Sequence, residues 1–426
     1  MKKLIFILVQ LSLIQAVSSQ GFPTAKPEEA GLSSERLDRI KPVMQSYVDQ
    51  NKLPGLITMV ARHGKIVHFE KYGMMDMGKS MESNTIFGIQ SMTKPITSVA
   101  VMMLYEEGLF QLDDPVAKYI PEFNDLKVFS SRDKDGIHLV DQIKPMTILQ
   151  LLTHTSGLTY GMYEINGNTP VDSMLNAAKC FSGTLKDMIQ KLSEIPLQYQ
   201  PGTKWNYSIS TDVLGYLVEV LSGKPLDEFF KERIFIPLRM EDTDFYVPRE
   251  KINRLAALYG PAEDKGIKVI IKPDSARFSR PARFLGGGGR LYSTVTDYMT
   301  FAQMLLNKGE YNGVRLLGSK TVELMTKNHI PADLLPVADW YLPGLGFGLG
   351  FSVMTDPLVI LGSEGEYGWA GAYNTYFSID PKEDLIWILM TQFYPTFYYP
   401  VSKDRVFVAE LSADPIFKIR FADEIK

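Results

Sequence analysis

The sequence predicts an α/β protein of the α+β type, with an antiparallel sheet flanked by helices and a mostly helical lobe inserted between its strands. A hairpin pattern near the start of the chain runs from residue 56 to residue 69 and turns at His63-Gly64. Four segments in the last third have strand-like apolar patterns, at 349–354, 358–361, 373–379 and 385–391. Because segments with helical periodicity lie between these two groups, the simplest packing pairs the terminal strands in one sheet.

The first 20 residues have the pattern of a targeting segment. Lys2 and Lys3 precede an apolar run, and small residues follow it at Ala16, Ser18 and Ser19. This pattern predicts a secretory signal peptide over residues 1–19, and the alternative is an uncleaved anchor. The run is short for a membrane span. We therefore expect an exported chain, periplasmic or secreted in a bacterium, with no stable membrane span after removal of the signal.

Apolar residues at helical spacing, with capping and glycine signals, predict the remaining elements. The expected helices are 37–48, 91–107, 146–153, 185–195, 213–221, 225–235, 294–306 and 404–411. Residues 123–146, 160–180 and 250–283 have no clear period, so we expect irregular segments there, and the last of them is basic.

This order of elements predicts two domains after the signal peptide. Residues 20–95 and 290–426 would form a discontinuous sheet domain, and residues 96–289 would form a mostly helical domain. The functional site is expected at the interface between them.

Composition excludes several classes of function. The chain has 426 residues, of which 45% are hydrophobic and 22% charged, as in ordinary soluble globular proteins. The formal net charge is −4 and no basic patch stands out, so nucleic acid is not an expected partner. Cys180 is the only cysteine, which excludes an internal disulfide, and we interpret it as a packing residue. The five histidines lack ligand spacing, so neither a metal nor a cofactor is expected.

One stretch offers an activated nucleophile. Ser91 and Lys94 would share a face at the start of a helix, where the positive end of the helix dipole and partial burial favour a neutral lysine amine. Such an amine could take the proton of the serine. Ser131 and Lys134 have the same spacing, but they lie in a charged loop.

Two other stretches allow more than one interpretation. His154, in a polar turn closed by Gly157, could act as a general base, but we favour a histidine that stabilises the turn by hydrogen bonds. The four-glycine run at 286–289 could hold phosphate, but no Lys-Ser or Lys-Thr pair follows it. A close crossing of backbone near the core is the preferred interpretation.

These stretches together resemble the serine β-lactamase and penicillin-binding-protein superfamily. Within it, the chain is similar to the branch of class C β-lactamases, D,D-peptidases and β-lactamase-like (family VIII) carboxylesterases. The resemblance rests on four motifs: Ser91-Met92-Thr93-Lys94, the segment 151–158, the segment 201–208, and the glycine run with Ser293, Thr294 and Asp297. It implies a β-lactamase/transpeptidase-like fold.

The resemblance also implies roles for individual residues. Ser91 would attack a carbonyl carbon and form an acyl-enzyme, with Lys94 and Tyr207 as the proton-transfer pair. The backbone N–H groups of Ser91 and Ala372 would form the oxyanion hole. Which of Lys94 and Tyr207 is the main base stays open at this point.

Two departures from the superfamily pattern bear on the substrate. Ile209 stands where the lactamases have asparagine, and Trp369-Ala370-Gly371 stands where lactamases and peptidases have Lys-Thr-Gly. These four residues are the expected substrate contacts. Because the cation that holds a lactam carboxylate is missing there, we expect a carboxylesterase that acts on small esters or lactones. The alternatives are a β-lactamase or D-Ala-type peptidase, an acyltransferase, and a non-catalytic binding protein.

Overall fold

A computed structural model describes residues 21–161, 169–263, 266–335, 344–358 and 362–396. The expected signal peptide, the expected helix at 404–411 and most of the expected strand at 358–361 lie outside these residues. Where the chain is described, it has no helix of the length and hydropathy that a membrane span requires.

The dominant element is an eight-stranded antiparallel sheet. In spatial order its strands are Leu345–Phe347, Ser352–Met354, Tyr367–Gly371, Thr375–Asp380, Leu385–Thr391, Gly55–Arg62, Lys65–Asp76 and Lys79–Ser80. An early strand and a late strand pair near the centre of the sheet, where Leu56 pairs with Thr391 and Arg62 with Leu385. The prediction that the terminal strands form one antiparallel sheet is therefore confirmed.

Alternate residues of the central strands pack against different layers, as a pleated sheet requires. Leu56, Val60 and Trp387 pack in one apolar cluster with the helix Ile40–Asp49. Ile57, Met59 and Ile388 pack in the larger cluster on the other face, which contains the helices of the middle of the chain.

The helix Thr93–Glu106 is at the centre of that larger layer, and all but its last two residues are buried. Besides the helix Ile40–Asp49, the other α-helices of the described residues are Ser34–Leu37, Ile148–Leu152, Pro170–Ala178, Leu185–Leu192, Ser210–Ser222, Leu226–Phe230, Ile236–Leu238, Ser275–Phe278, Val295–Leu306 and Ser319–Met325. The helices fall between and around the two groups of strands, as expected, whereas the exact domain boundaries stay a prediction.

Three segments expected to be irregular contain regular structure. The segment 123–146 forms a hairpin from Val128–Asp133 and Gly136–Val140, whose largely exposed faces leave no apolar alternation in the sequence. The segment 250–283 contains a second hairpin, in which Leu258–Pro261 pairs with Ile267–Ile271. In the segment 160–180, a helix covers Pro170–Ala178.

That helix had a readable start signal. Thr169 caps it, Pro170 occupies its first turn, and Asp172 completes a capping box with Thr169.

The strand Tyr367–Gly371 is not the outermost strand of the sheet. Two short strands lie outside it, but the nearer one pairs only with Tyr367 and Gly368. Trp369, Ala370 and Gly371 therefore pair with a neighbour on one side only, through Phe377, Tyr376 and Thr375.

Candidate active site

Ser91 lies in a short 3₁₀ turn, Gln90–Met92, that leads directly into the helix Thr93–Glu106. Backbone pairing fixes this turn from behind, because Phe87–Gly88 pairs with Tyr292–Ser293 and the N–H of Ile89 donates to Leu291. The hydroxyl of Tyr298 donates to the carbonyl of Met92 at 2.8 Å. The serine is thus held at a helix start, as expected, with its side chain partly exposed.

Lys94 is fully buried one turn further along. Its Nζ lies 3.2 Å from Ser91 Oγ, 2.6 Å from the carbonyl oxygen of Gly288 and 3.3 Å from the hydroxyl of Tyr160. An ammonium group has three donors, and these three acceptors match that number. The rings of Tyr207 and Tyr160 also lie near Nζ, with centroids at 4.7 and 5.1 Å, where their π faces favour a cation.

Tyr207 approaches Ser91 from the segment that precedes the helix Ser210–Ser222. Its hydroxyl donates to Ser91 Oγ at 2.8 Å, and Trp369 Nε1 donates to the Tyr207 hydroxyl at 3.4 Å. The structure therefore brings Ser91, Lys94 and Tyr207 into one cluster around Ser91 Oγ. Their catalytic roles stay a prediction.

His154 stabilises the turn in front of Tyr207. Its Nδ1 accepts from the backbone N–H of Ser208 at 3.3 Å, and its carbonyl accepts from the N–H of Asn206. Burial lowers the pKa of His154 well below its ordinary value, and the charge of Lys94 acts in the same direction. A neutral, buried imidazole that holds a turn agrees with the structural interpretation of this residue.

Tyr160 and Asp212 complete the surroundings of the lysine, and neither residue belongs to the motifs that predict the site. The hydroxyl of Tyr160 lies 3.5 Å from Asp212 Oδ2, and Asp212 Oδ1 accepts from the N–H of Gly288 at 3.0 Å. Burial raises the pKa of Asp212, against the charge of Lys94 and the Gly288 hydrogen bond, which lower it. Burial likewise raises the pKa of Tyr160 well above its ordinary value, with Asp212 adding to the effect.

The glycine run is a close crossing of backbone, as preferred. A Cβ on Gly287 would lie 2.7 Å from the carbonyl oxygen of Thr211, and one on Gly288 would lie 2.4 Å from Asp212 Oδ2. Only glycine permits this approach, which places the carbonyl of Gly288 over Lys94.

The four expected substrate contacts have different surroundings. Trp369 is nearly buried among aromatic rings, with Phe347 and Tyr207 at centroid distances of 5.2 and 5.5 Å. Ile209 is completely buried in the core at the start of the helix Ser210–Ser222, which corrects its assignment as a substrate contact. The side chain of Ala370 packs against the opposite apolar cluster of the sheet, so its assignment as a side-chain contact is also corrected.

Gly371 explains how the strand approaches the nucleophile. A Cβ there would lie 2.4 Å from the carbonyl oxygen of Ile89, so the glycine admits the backbone that leads to Ser91. Ala372 follows at the end of the strand, and its carbonyl accepts from Thr396 Oγ1 at 2.7 Å. Ala372 thus directly follows the residue that contacts the Ile89 carbonyl, which is compatible with its backbone N–H as an oxyanion-hole donor. This role stays a prediction.

Comparison with known proteins gives a consistent picture. The family model described as Beta-lactamase matches residues 40–410. Protein Rv1367c of Mycobacterium tuberculosis is 34% identical over 376 residues, which cover 84% of this chain and 90% of that protein. Esterase EstB of Burkholderia gladioli is 28% identical over 391 residues, covering 87% of this chain and 93% of that protein.

Among solved structures, the fold is similar to that of EstCE1, described as a hydrolase with promiscuous acyltransferase activity. The TM-score is 0.74 at 24% identity, and the match covers 91% of this chain and 98% of EstCE1. At this identity the likeness bears on the fold alone.

Proposed function

The chain belongs to the Beta-lactamase family of serine hydrolases, and on this premise we propose that it cleaves small carboxylic esters or lactones through an acyl-enzyme on Ser91. The observation that carries the proposal is the position of Ser91 Oγ, within hydrogen-bond distance of both Lys94 Nζ and the Tyr207 hydroxyl. The similarity to Esterase EstB supports the choice of esters.

The proposed chemistry begins when Ser91 Oγ attacks the ester carbonyl and its proton passes to the Lys94–Tyr207 pair. The pair then protonates the departing alcohol, which leaves an acyl group on the serine. Water attacks this acyl group and gives a proton to the same pair, which returns a proton to Ser91 Oγ as the acid is released. Because both groups lie within hydrogen-bond distance of Ser91 Oγ, we treat them as one proton-transfer unit.

The surroundings of Tyr207 support esters over lactams. Trp369 packs against the ring of Tyr207 and donates to its hydroxyl, where a lactam-binding site would offer a cation. No charge at this position meets a lactam carboxylate, whereas a neutral ester needs none. Export of the chain, as the first 20 residues predict, is part of the proposal.

The test uses p-nitrophenyl butyrate and a chromogenic cephalosporin on wild type and Ser91→Ala. We expect the wild type to hydrolyse the ester and not the cephalosporin. The variant should be inactive although it still folds cooperatively, because Ser91 is partly exposed and lies outside the apolar clusters. Undiminished activity in Ser91→Ala would refute the proposal, and efficient cephalosporin turnover would favour a lactamase or peptidase.

A further inference from the structure

A cavity of about 410 Å³ adjoins the proposed catalytic centre. Gln90, which precedes Ser91, and Tyr373, which follows Ala372, both line it. A third lining residue, Phe181, stacks on the ring of Tyr160 with centroids 6.0 Å apart. Ser91, Ala372 and Tyr160 do not line the cavity themselves, and these three lining residues connect it to them.

The charged residues that line the cavity all have the same sign. Four arginines, Arg277, Arg280, Arg283 and Arg290, line it together with aromatic and other uncharged residues, and no aspartate or glutamate does. Arg277, Arg280 and Arg283 belong to the basic segment 250–283, and Arg290 follows it in the chain. Residues 268–290 contain six basic side chains and one acidic side chain, Asp274.

Three of these guanidinium groups have no ion-pair or hydrogen-bond partner in the described part of the chain, although the charge of Arg290 lowers the pKa of Asp212. Arg277, Arg280 and Arg290 form neither an ion pair nor a side-chain hydrogen bond there, whereas Arg283 lies 3.9 Å from Asp187. An arginine has five N–H donors, and a carboxylate or phosphate matches their geometry well. The cavity thus presents unused donors for an anion.

Two of the arginines are oriented by aromatic rings. The guanidinium of Arg277 lies 5.2 Å from the ring centroid of Phe278, and that of Arg290 lies 5.5 Å from the ring centroid of Phe284. Stacking of this kind limits the side chain to fewer conformations and leaves its N–H edge available.

We propose that this cavity, which we call the arginine pocket, binds a carboxylate or phosphate group of the ester that Ser91 cleaves. The proposal rests on the proposed function and narrows its substrate class to esters with an apolar part and an anionic group. The positive charge that is missing at the position of Trp369 would then be supplied by the arginines of this pocket.

The experiment measures inhibition of p-nitrophenyl butyrate hydrolysis by three small probes. 4-Phenylbutyrate is the carboxylate, phenyl phosphate is the phosphate, and 4-phenylbutyramide is the neutral control. In wild type we expect the better of the two anions to have an inhibition constant about tenfold lower than that of the amide. The reason is that the arginines form stronger, charge-assisted hydrogen bonds with an anion than with a neutral amide. Comparison of the two anions shows which oxyacid the pocket prefers.

The double variant Arg277→Gln/Arg290→Gln tests the pocket itself, with the exposed Arg132→Gln as a matched control. We expect the double variant to raise the inhibition constant of that anion roughly five- to tenfold. The control, which is also exposed but lies outside the cavity, should leave it as in wild type. In wild type, raising NaCl from about 20 to about 500 mM should weaken inhibition by the anion and leave inhibition by the amide unchanged.

The outcomes separate this proposal from the proposed function. Hydrolysis of p-nitrophenyl butyrate reports the esterase independently of the pocket. If the ester is hydrolysed but anions and amide inhibit equally, or if salt has the same effect on both, the arginine pocket is refuted. Retention of the anion preference in a folded double variant would refute it as well.

Discussion

Replacement of Gly288 by alanine tests whether the glycine run positions Lys94. The new Cβ would lie 2.4 Å from Asp212 Oδ2 and 2.8 Å from the Tyr160 hydroxyl, where ordinary contacts begin near 3.4 Å. Gly288 is not among the residues with positive φ, so the backbone conformation itself tolerates alanine. The effect must therefore come from the lack of space.

To relieve the overlap, the buried carboxylate of Asp212 has to move by about 1 Å. This is the difference between the 2.4 Å contact and an ordinary contact of 3.4 Å. The movement disturbs the Gly288 N–H bond to Asp212, and it shifts the carbonyl that accepts from Lys94 at 2.6 Å. Overpacking and a weakened hydrogen bond to a buried carboxylate together cost about 2–4 kcal/mol of stability. A displacement of this size next to the nucleophile should lower kcat roughly 100-fold.

Gly289→Ala is the matched control, because the nearest atom to its Cβ, the carbonyl carbon of Gln90, lies at 3.4 Å. The assays are urea-induced unfolding and the kinetics of p-nitrophenyl butyrate hydrolysis for both variants. Gly289→Ala should change stability by less than about 0.5 kcal/mol and kcat by less than about threefold. Equal behaviour of the two variants, or a folded Gly288→Ala with normal kcat, would refute the reasoning.

Three further changes probe other contacts of the site and the core. Tyr160→Phe removes an acceptor 3.3 Å from Lys94 Nζ and should lower kcat about tenfold with little change in KM. Trp369→Phe removes the donor 3.4 Å from the Tyr207 hydroxyl and should lower kcat about threefold to tenfold. Burial raises the pKa of Asp297 from 3.8 to about 6, so its stabilising contribution is complete below about pH 4 and is lost as the pH rises through about 6. Relative to Asp297→Asn, the wild type should lose roughly 3 kcal/mol of unfolding free energy between about pH 4 and about pH 7.

Each of these results has a contradicting outcome. Trp387→Phe is the control for Trp369, since Trp387 is equally buried but packs in the other apolar cluster. If Trp387→Phe lowers kcat as much as Trp369→Phe, the contact with Tyr207 does not matter for catalysis. A normal kcat in Tyr160→Phe would show that the contact between Tyr160 and Lys94 does not matter for catalysis. A pH-independent difference between wild type and Asp297→Asn would contradict the titration of Asp297.

Sequence reasoning identified the parts of the site that are local in the chain. Ser91 and Lys94 are one helical turn apart, so their spacing alone predicts that they meet, and the sheet follows from the strand patterns at both ends. Tyr160 and Asp212 come near the lysine only through the fold, and no local pattern marks Asp212. The position of Tyr160, two residues after the end of the turn motif at Leu158, was the one available signal.

The incorrect assignments have a common physical cause. Ile209 and Ala370 were assigned by position within a motif, but the start of a helix turns the first into the core, and the pleat of the strand turns the second to the opposite face. The pleat is regular and could have been applied, because Trp369 and Ala370 are adjacent in one strand. The exposed hairpin at residues 128–140 gave no signal because neither of its faces is consistently apolar.

The central claim is that Ser91 carries an acyl group during turnover, and intact mass after brief mixing with p-nitrophenyl butyrate tests it most directly. We expect wild type to gain the mass of one butyryl group, which disappears as the ester is consumed, and Ser91→Ala to gain none. Peptide mapping should locate the group on Ser91. An adduct that persists in Ser91→Ala, or wild-type turnover in which no adduct forms even when the reaction is quenched early, would contradict the account.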